Sequence, residues 1–230
     1  MSAQREPDAV AERYARRAAS DRYSMLRPDV WQTVQERQRA MLRLFVRLGF
    51  NDLSALRLLE VGCGSGGNLQ ELLRLGFAPA NLSGAELLPE RIAQARAELP
   101  ASVALFEGDA TQRGLAPGSF DIVFVSTVFS SLLDDAFQQR LADTMWRWVK
   151  PGGGVLWYDF TLNNPRNADV RGVPLGRVRS LFPQGRLQHE RVTLAPPIAR
   201  VMTRVHPSLY TVCNLVPLLR SHVLCWVQKP

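Results

Sequence analysis

Apolar side chains recur at helical spacing in two windows near the amino terminus, Asp8 to Ala19 and Asp29 to Leu48, with Pro28 suited to a helix start and Gly49 to its stop. From Arg57 the pattern changes. Short β-rich runs, Arg57 to Val61, Leu82 to Glu86, Val103 to Glu107, Phe120 to Ser126 and Val155 to Phe160, alternate with helical windows at Gly67 to Leu75, Pro89 to Leu99 and Asp134 to Val149. Such alternation predicts right-handed βαβ units and a parallel sheet covered on both faces. Beyond Phe160 the regularity breaks into a Pro-, Asn- and Gly-bearing stretch, Thr161 to Gly176, expected to be loop or lid. Strand-like runs at Arg186 to Leu194 and Ser221 to Gln228 then flank a mostly apolar helical segment, Pro197 to Leu219, broken at Pro207 and Pro217. The expected fold is therefore α/β: a doubly wound, mostly parallel seven-stranded sheet with N-terminal helices and a helical insertion before the last strand.

Composition narrows the class. A chain of 230 residues, 46% hydrophobic, can bury one sizeable core. The net charge of +7 is almost all arginine, since lysine occurs only at Lys150 and Lys229. These arginines are scattered among acids along amphipathic stretches, a pattern of solvated helix faces more than of a nucleic-acid tract. Cys63, Cys213 and Cys225 show neither disulfide-framework nor zinc-ligand spacing, which suits a reducing cytoplasm. The first twenty residues lack a signal-peptide pattern. Leu209 to Val227, the most apolar stretch, contains Pro217, Arg220 and His222 and is not expected to span a bilayer. Peripheral contact with the inner face of a membrane stays open.

The most informative segment is Leu58-Leu-Glu-Val-Gly-Cys-Gly-Ser-Gly-Gly67. A glycine-rich turn between a strand and a helix lets backbone approach a ligand closely. Gly62, Gly64 and Gly67 satisfy G-x-G-x-x-G, and Glu86 closes the second strand at the distance a dinucleotide fingerprint requires, so spacing alone does not separate NAD from S-adenosylmethionine (SAM). Glu60 tips the balance. An acid at the end of the first strand repels a pyrophosphate but suits a ligand bearing an ammonium and a sulfonium.

With Glu60 and these glycines the chain resembles the class I, Rossmann-like SAM-dependent methyltransferases from about Leu56 to Phe160. The resemblance implies that Glu60 helps hold the methionine end and that Gly62 and Gly64 pack against the cofactor, with Cys63 and Asn68 beside them. It extends to Leu82-Ser-Gly-Ala-Glu86, whose carboxylate would accept from the ribose hydroxyls, with Leu87 next to it. Phe106-Glu-Gly-Asp109-Ala110 matches the adenine-contacting segment, Gly108, Asp109 and Ala110 included. Phe120 to Ser126 and Lys150-Pro-Gly-Gly-Gly154 resemble the family's fourth strand and the turn before its fifth, and Ser126 would close the cofactor site. Tyr23 matches an aromatic that family members often bring over the cofactor. Glu86 and Asp109 also suit helix caps. Asp121, entering its strand at the far end, reads as structural.

Methyl transfer needs donor and acceptor aligned and water excluded, and an alcohol acceptor benefits from a base. The acceptor is expected beyond the carboxyl ends of the fourth and fifth strands, among Thr127, Ser130, Tyr158, Asn163, Asn164 and Arg171. Asp159 is the first candidate for a base or polar anchor, with a cap or loop-ordering role as the alternative. His206 is a second candidate, or a surface residue. His189 and His222, inside strand-like runs, look less useful. Val125-Ser126-Thr127 lacks the acid a metal-assisted transfer needs, and no Asn/Asp-Pro-Pro-aromatic motif points to nucleic-acid methylation. Residues 1–50 are read as a helical segment packing on the core and cofactor site, 51–230 as the SAM-binding domain, and 161–219 as the acceptor-specificity region. A looser resemblance to methyltransferases of bacterial surface-polysaccharide assembly implies metal-independent O-methylation of a small-molecule or glycan hydroxyl. The alternatives are C- or N-methylation of a lipid-like or secondary-metabolite acceptor, and a SAM-binding partner subunit without catalysis.

Overall fold

The switch in hydrophobic period at Arg57 is the boundary between two N-terminal helices and a seven-stranded sheet. The structure, a computed structural model, describes residues 6–16, 24–163, 165 and 167–230. Helices α1 (Glu6–Ala15) and α2 (Pro28–Arg47) come first. Pro28 fits the first turn of α2, where its missing N–H has no intrahelical partner to lose. Glu36, Ala40, Met41, Leu44 and Phe45, on one stripe of α2, are buried.

The sheet follows as β1 (Leu58–Val61), β2 (Leu82–Glu86), β3 (Ala104–Glu107), β4 (Phe120–Ser126), β5 (Val149–Phe160), β6 (Arg186–Leu194) and β7 (Arg220–Gln228). Between them lie α3 (Gly67–Leu75), α4 (Pro89–Glu98), α5 (Asp135–Trp148), α6 (Leu175–Leu181), α7 (Pro196–Val205) and α8 (Ser208–Asn214). The spatial order is β3-β2-β1-β4-β5-β7-β6, parallel except for β7, which runs antiparallel to both neighbours. Strand order thus reverses between β1 and β4, and the crevice outside their carboxyl ends is where an open α/β sheet takes a ligand.

The reversal of β7 has a local cause. The other connections return to the opposite edge of the sheet, all but that between β3 and β4 through an α-helix, whereas α7 and α8 leave β6 at Leu194 and return to β7 at its register partner Arg220. A connection that starts and ends at one edge forces the next strand to run the other way. It follows that α7, α8 and the first residues of β7 stand at the same edge as the carboxyl ends of β1, β4 and β5.

Two apolar clusters fill the faces. One packs α2, α3 and α4 on Leu58, Leu82, Phe124, Leu156, Leu224 and Trp226. The other packs α5, α6 and Val10 of α1 on Leu59, Val123, Val125, Trp157 and Val223. Lys150 to Gly154, expected as a turn before the fifth strand, lies inside β5, and Gly154 is required there because a Cβ would lie 2.4 Å from the Trp226 ring of the paired strand. Asp121 is structural, as its place in the strand suggested: it accepts from the Arg57 N–H at 2.8 Å and from Lys150 Nζ at 2.8 Å. The stretch expected as loop or lid from Thr161 is irregular to Pro174, after which Leu175–Leu181 forms α6. Its seven residues are too few to show a period, and burial of Val178 and Leu181 holds it in place.

Candidate active site

All of β1 is buried, and its only charged side chain, Glu60, has no exposed surface. Asn68 Nδ2, in the first turn of α3, donates to Glu60 Oε1 at 2.5 Å. Glu60 Oε2 is buried without a partner among the described residues. The Arg37 guanidinium on α2 donates to Asn68 Oδ1 at 2.8 Å and pairs with Glu71 at 2.9 Å, so α2 fixes the amide that orients Glu60. Burial pushes the Glu60 carboxyl up to about 8, opposed by the Asn68 bond and the Arg37 charge. An unmet buried acceptor costs roughly 1–3 kcal/mol, an arrangement that suits a cationic group bound from outside.

The glycine loop beside it is shaped by contact. Gly62 has φ +73°, and a Cβ there would lie 2.4 Å from Val128 Cγ2 in the turn after β4. Cys63 is packed under the loop with its thiol pushed up by burial, and its Sγ lies 2.7 Å from where a Cβ on Gly84 would be. The loop amides point inward: Gly62 and Cys63 donate to Ala85 O, Gly66 to Cys63 O, and Gly64 to Glu86 Oε2 at 2.8 Å. Amides engaged in this way do not form the cradle that a pyrophosphate requires, which, with Glu60, decides the ambiguity of the glycine spacing against a dinucleotide.

Glu86 also accepts from Leu88 N–H at 2.9 Å, so both of its oxygens order the loops around them while each keeps a lone pair for a hydroxyl. Gly108, with φ +100°, donates to Glu86 O at 2.8 Å. Asp109 Oδ1 accepts from the Thr111 N–H and hydroxyl, both at 2.8 Å, capping a short 3-10 turn. Leu87 and Ala110 are half-buried against the core. Asp109 therefore caps the short turn just past β3, while Glu86 ends β2 and ties its own following residues to the glycine loop.

Beyond β1 the same face of the sheet carries Ser126, Tyr158 and His222. Ser126 and Tyr158 are register partners at the carboxyl edge, and His222 opens β7 beside Phe160. The His222 ring stacks on Tyr158 at 5.0 Å, and the Arg37 guanidinium lies 5.3 Å from the centroid of the Tyr158 ring. Burial, then the Arg37 charge, push His222 down to about 4, so its imidazole is neutral at physiological pH. The Tyr158 hydroxyl meets Thr193 Oγ1 at 2.8 Å, and Thr193 donates from both backbone and side chain to Glu36 on α2. The Tyr158 hydroxyl is thus held in an internal chain. Thr127 adopts φ +54°, uncommon for a β-branched residue, with its N–H on Tyr158 O at 2.8 Å. That turn carries Val128 onto Gly62.

Asp159 lies on the opposite face. Its Oδ2 accepts from Ser130 N–H at 3.0 Å and its Oδ1 from its neighbour Phe160 at 2.9 Å, and burial raises it to about 7 against those bonds. It anchors the turn after β4. Ser130 is buried there, and its carbonyl accepts from Arg171 N–H at 2.8 Å. The Arg171 guanidinium pairs with Asp135, and Asn163 Oδ1 accepts from Gly172 N–H at 2.9 Å, so these expected acceptor contacts order the loop instead. His206 is exposed between α7 and α8 and accepts from Ser208 N–H, apart from the other candidates. Tyr23 and Asn164 lie outside the described residues.

Sequence reasoning missed Glu36, Arg37 and His222. The buried stripe of α2 reaches Glu36, four residues before Ala40, which was a readable signal. His222 was set aside because it lies in a strand, and only the antiparallel direction of β7 brings it to the ligand edge.

Residues 58–153 match a family model described as a methyltransferase domain. They form a methyltransferase domain. The chain is 33% identical over 132 residues, 56% of its length and 47% of the relative's, to a phthiotriol/phenolphthiotriol dimycocerosates methyltransferase of Mycobacterium leprae (strain TN). It is 34% identical over 129 residues, 54% of its length and 46% of the relative's, to phthiotriol/phenolphthiotriol dimycocerosates methyltransferase 1 of Mycobacterium ulcerans (strain Agy99). It spans about half the length of these curated relatives. In fold it is similar to the N-methyltransferase NodS of Bradyrhizobium japonicum WM9, solved with S-adenosyl-L-homocysteine (SAH): TM-score 0.68, 16% identity, 98% of this chain and 100% of that one. The methyltransferase domain agrees with the chemistry of Glu60 and the inward-turned loop.

Proposed function

We propose that this chain transfers the methyl group of SAM to a hydroxyl of a lipid-like small molecule. The buried, unpartnered Glu60 Oε2 carries the cofactor part of this reading, since it stands where the ammonium of a methionine end would be met. When bound, SAM supplies an electrophilic methyl on a sulfonium. Glu60, oriented by Asn68 and Arg37, would hold the amino-acid end; Glu86 and Asp109 would accept from ribose and adenine; and the Thr127–Val128 turn would press Gly62 into place.

For the acceptor, the apolar α7–α8 insertion at the ligand edge favours a lipid-like molecule over a glycan. The polar groups that would greet a glycan, Asn163 and Arg171, are engaged within the protein. The mycobacterial relatives are named for lipid-type acceptors, which supports the same choice. His222 is our candidate base. It is held neutral, its Nδ1 lies 2.9 Å from Ser221 Oγ, and it stands on the Glu60 face, whereas Asp159 is bonded on both oxygens on the other face.

The test is a cofactor titration followed by an acceptor panel. SAM and SAH are expected to bind and NAD not to, and labelled methyl is expected to appear on long-chain diols and phenols, leaving sugar acceptors unlabelled. Label confined to sugars or amines would refute the acceptor assignment. Replacing His222 with Gln is expected to lower kcat by about a hundredfold, within the range for a lost general base, and to leave SAH affinity unchanged. An unaltered kcat would remove His222 from the mechanism.

A further inference from the structure

We infer that the α7–α8 insertion docks on an anionic lipid surface and so places the acceptor edge of the sheet against a bilayer; this rests on the lipid-like acceptor reading. Helix α7 buries Ala199 and Thr203 and turns the opposite side outward. One turn apart on that side stand Arg200 with Val201 and Arg204 with Val205, the valines 54% and 73% exposed. After α8 the chain adds Leu215 and Leu218, at 72% and 89% exposure. Large apolar side chains so exposed, clustered on one insertion, mark a contact surface more than scattered apolar residues do.

Charge selects the occupant. From Ala195 to Leu219 the sequence contains no Asp or Glu, while Arg200 and Arg204 are cationic and Arg220 follows at the start of β7. Among the described residues neither Arg200 nor Arg204 is paired with an acid. Arginine interleaved with exposed aliphatic side chains on a short amphipathic helix is the composition that lies in the plane of an anionic lipid interface. The α2 start adjoins this surface through a Thr33–Tyr210 hydrogen bond of 3.3 Å, and it brings Leu26, 94% exposed, and Trp31 to the same end of the molecule. Indole rings favour the polar–apolar boundary of a membrane. Among the described residues no helix is long and apolar enough to cross a bilayer, so the contact would be peripheral.

The experiment is co-sedimentation of the full chain with phosphatidylcholine vesicles, with and without phosphatidylglycerol. Binding is expected only where phosphatidylglycerol is present, weakening as salt rises. Arg200→Gln with Arg204→Gln is expected to weaken partition about 25-fold, a factor of about five for each charge near the surface. Leu215→Asp with Leu218→Asp is expected to abolish it. Both pairs should retain wild-type SAH affinity, which shows that the domain is folded and tests the cofactor reading separately. No sedimentation with either vesicle, equal sedimentation with both, or a dimer in ultracentrifugation that the leucine pair disperses would each overturn the inference.

Discussion

Glu60 and Asp159 are both fully buried carboxyls near the carboxyl edge of one sheet, both raised by burial, yet their surroundings differ in kind. Asp159 has a backbone N–H on each oxygen and holds together the turn after β4. Glu60 has one partner, Asn68, and one oxygen that nothing among the described residues meets. A carboxylate satisfied by its own chain is part of the scaffold. A buried one left half-satisfied is a candidate site for something not covalently attached to it. The two carboxyls are thus told apart by how far their own oxygens are satisfied, which the presence of an acid alone would not show.

The largest expected effect breaks this comparison if it fails. Glu60→Gln keeps the shape and the Asn68 contact but removes the charge, and is expected to weaken SAH binding by roughly 3 kcal/mol, about two orders of magnitude, in calorimetric titration. Asp159→Asn should do the reverse. It offers one carbonyl to two backbone donors, and a loss of about 2 kcal/mol in urea unfolding is expected with little change in SAH affinity. Equal losses of affinity in the two variants would erase the distinction.

A third expectation sharpens the contrast through protons. Without a ligand cation beside it, and despite the Arg37 charge, burial pushes Glu60 up to about 8, well above its value in the unfolded chain. The folded state therefore binds the proton more tightly, and the stability that this contributes is complete below about pH 4 and is lost as pH rises to about 8. A bound ammonium favours the carboxylate and releases that proton. Titration with SAH at pH 7 in buffers of different ionisation enthalpy is expected to show proton release from the wild type and none from Glu60→Gln. Asp159, raised to about 7, should lower stability as pH rises from about 4 to 7 whether or not SAH is present.

The smallest effect concerns Thr127. Glycine relieves its positive φ, worth about 1 kcal/mol, while releasing Val128 from its place against Gly62. Thermal stability is expected to change by only a few degrees, with a several-fold drop in kcat.

The cofactor half was legible because its determinants are local. A strand, its acid, the glycines and the start of the next helix lie within ten residues, and the following acids stand at or just past the ends of the next two strands, so reading in chain order was enough to place Glu60, Glu86 and Asp109 along one edge of the sheet. The acceptor half was not, because its residues meet across long separations. Arg37 reaches Asn68 from α2, Glu36 reaches Thr193 near the far edge, and Tyr158 meets His222 across strands joined through the whole C-terminal region. Asn163 and Arg171 looked like free polar groups in sequence because their partners, Gly172 and Asp135, could not be assigned without the fold.

By itself the sequence determined the α/β class, the order of the strands, every helix but α6 and the place of the glycine loop, since hydrophobic period and glycine placement act over a few residues. The direction of β7, the face on which each acid points and the oxygen of Glu60 left without a partner were decided by tertiary structure alone. Those depend on which distant donors come within 3 Å of a buried carboxylate, and hydrogen-bond satisfaction is a property of the packed chain rather than of any segment.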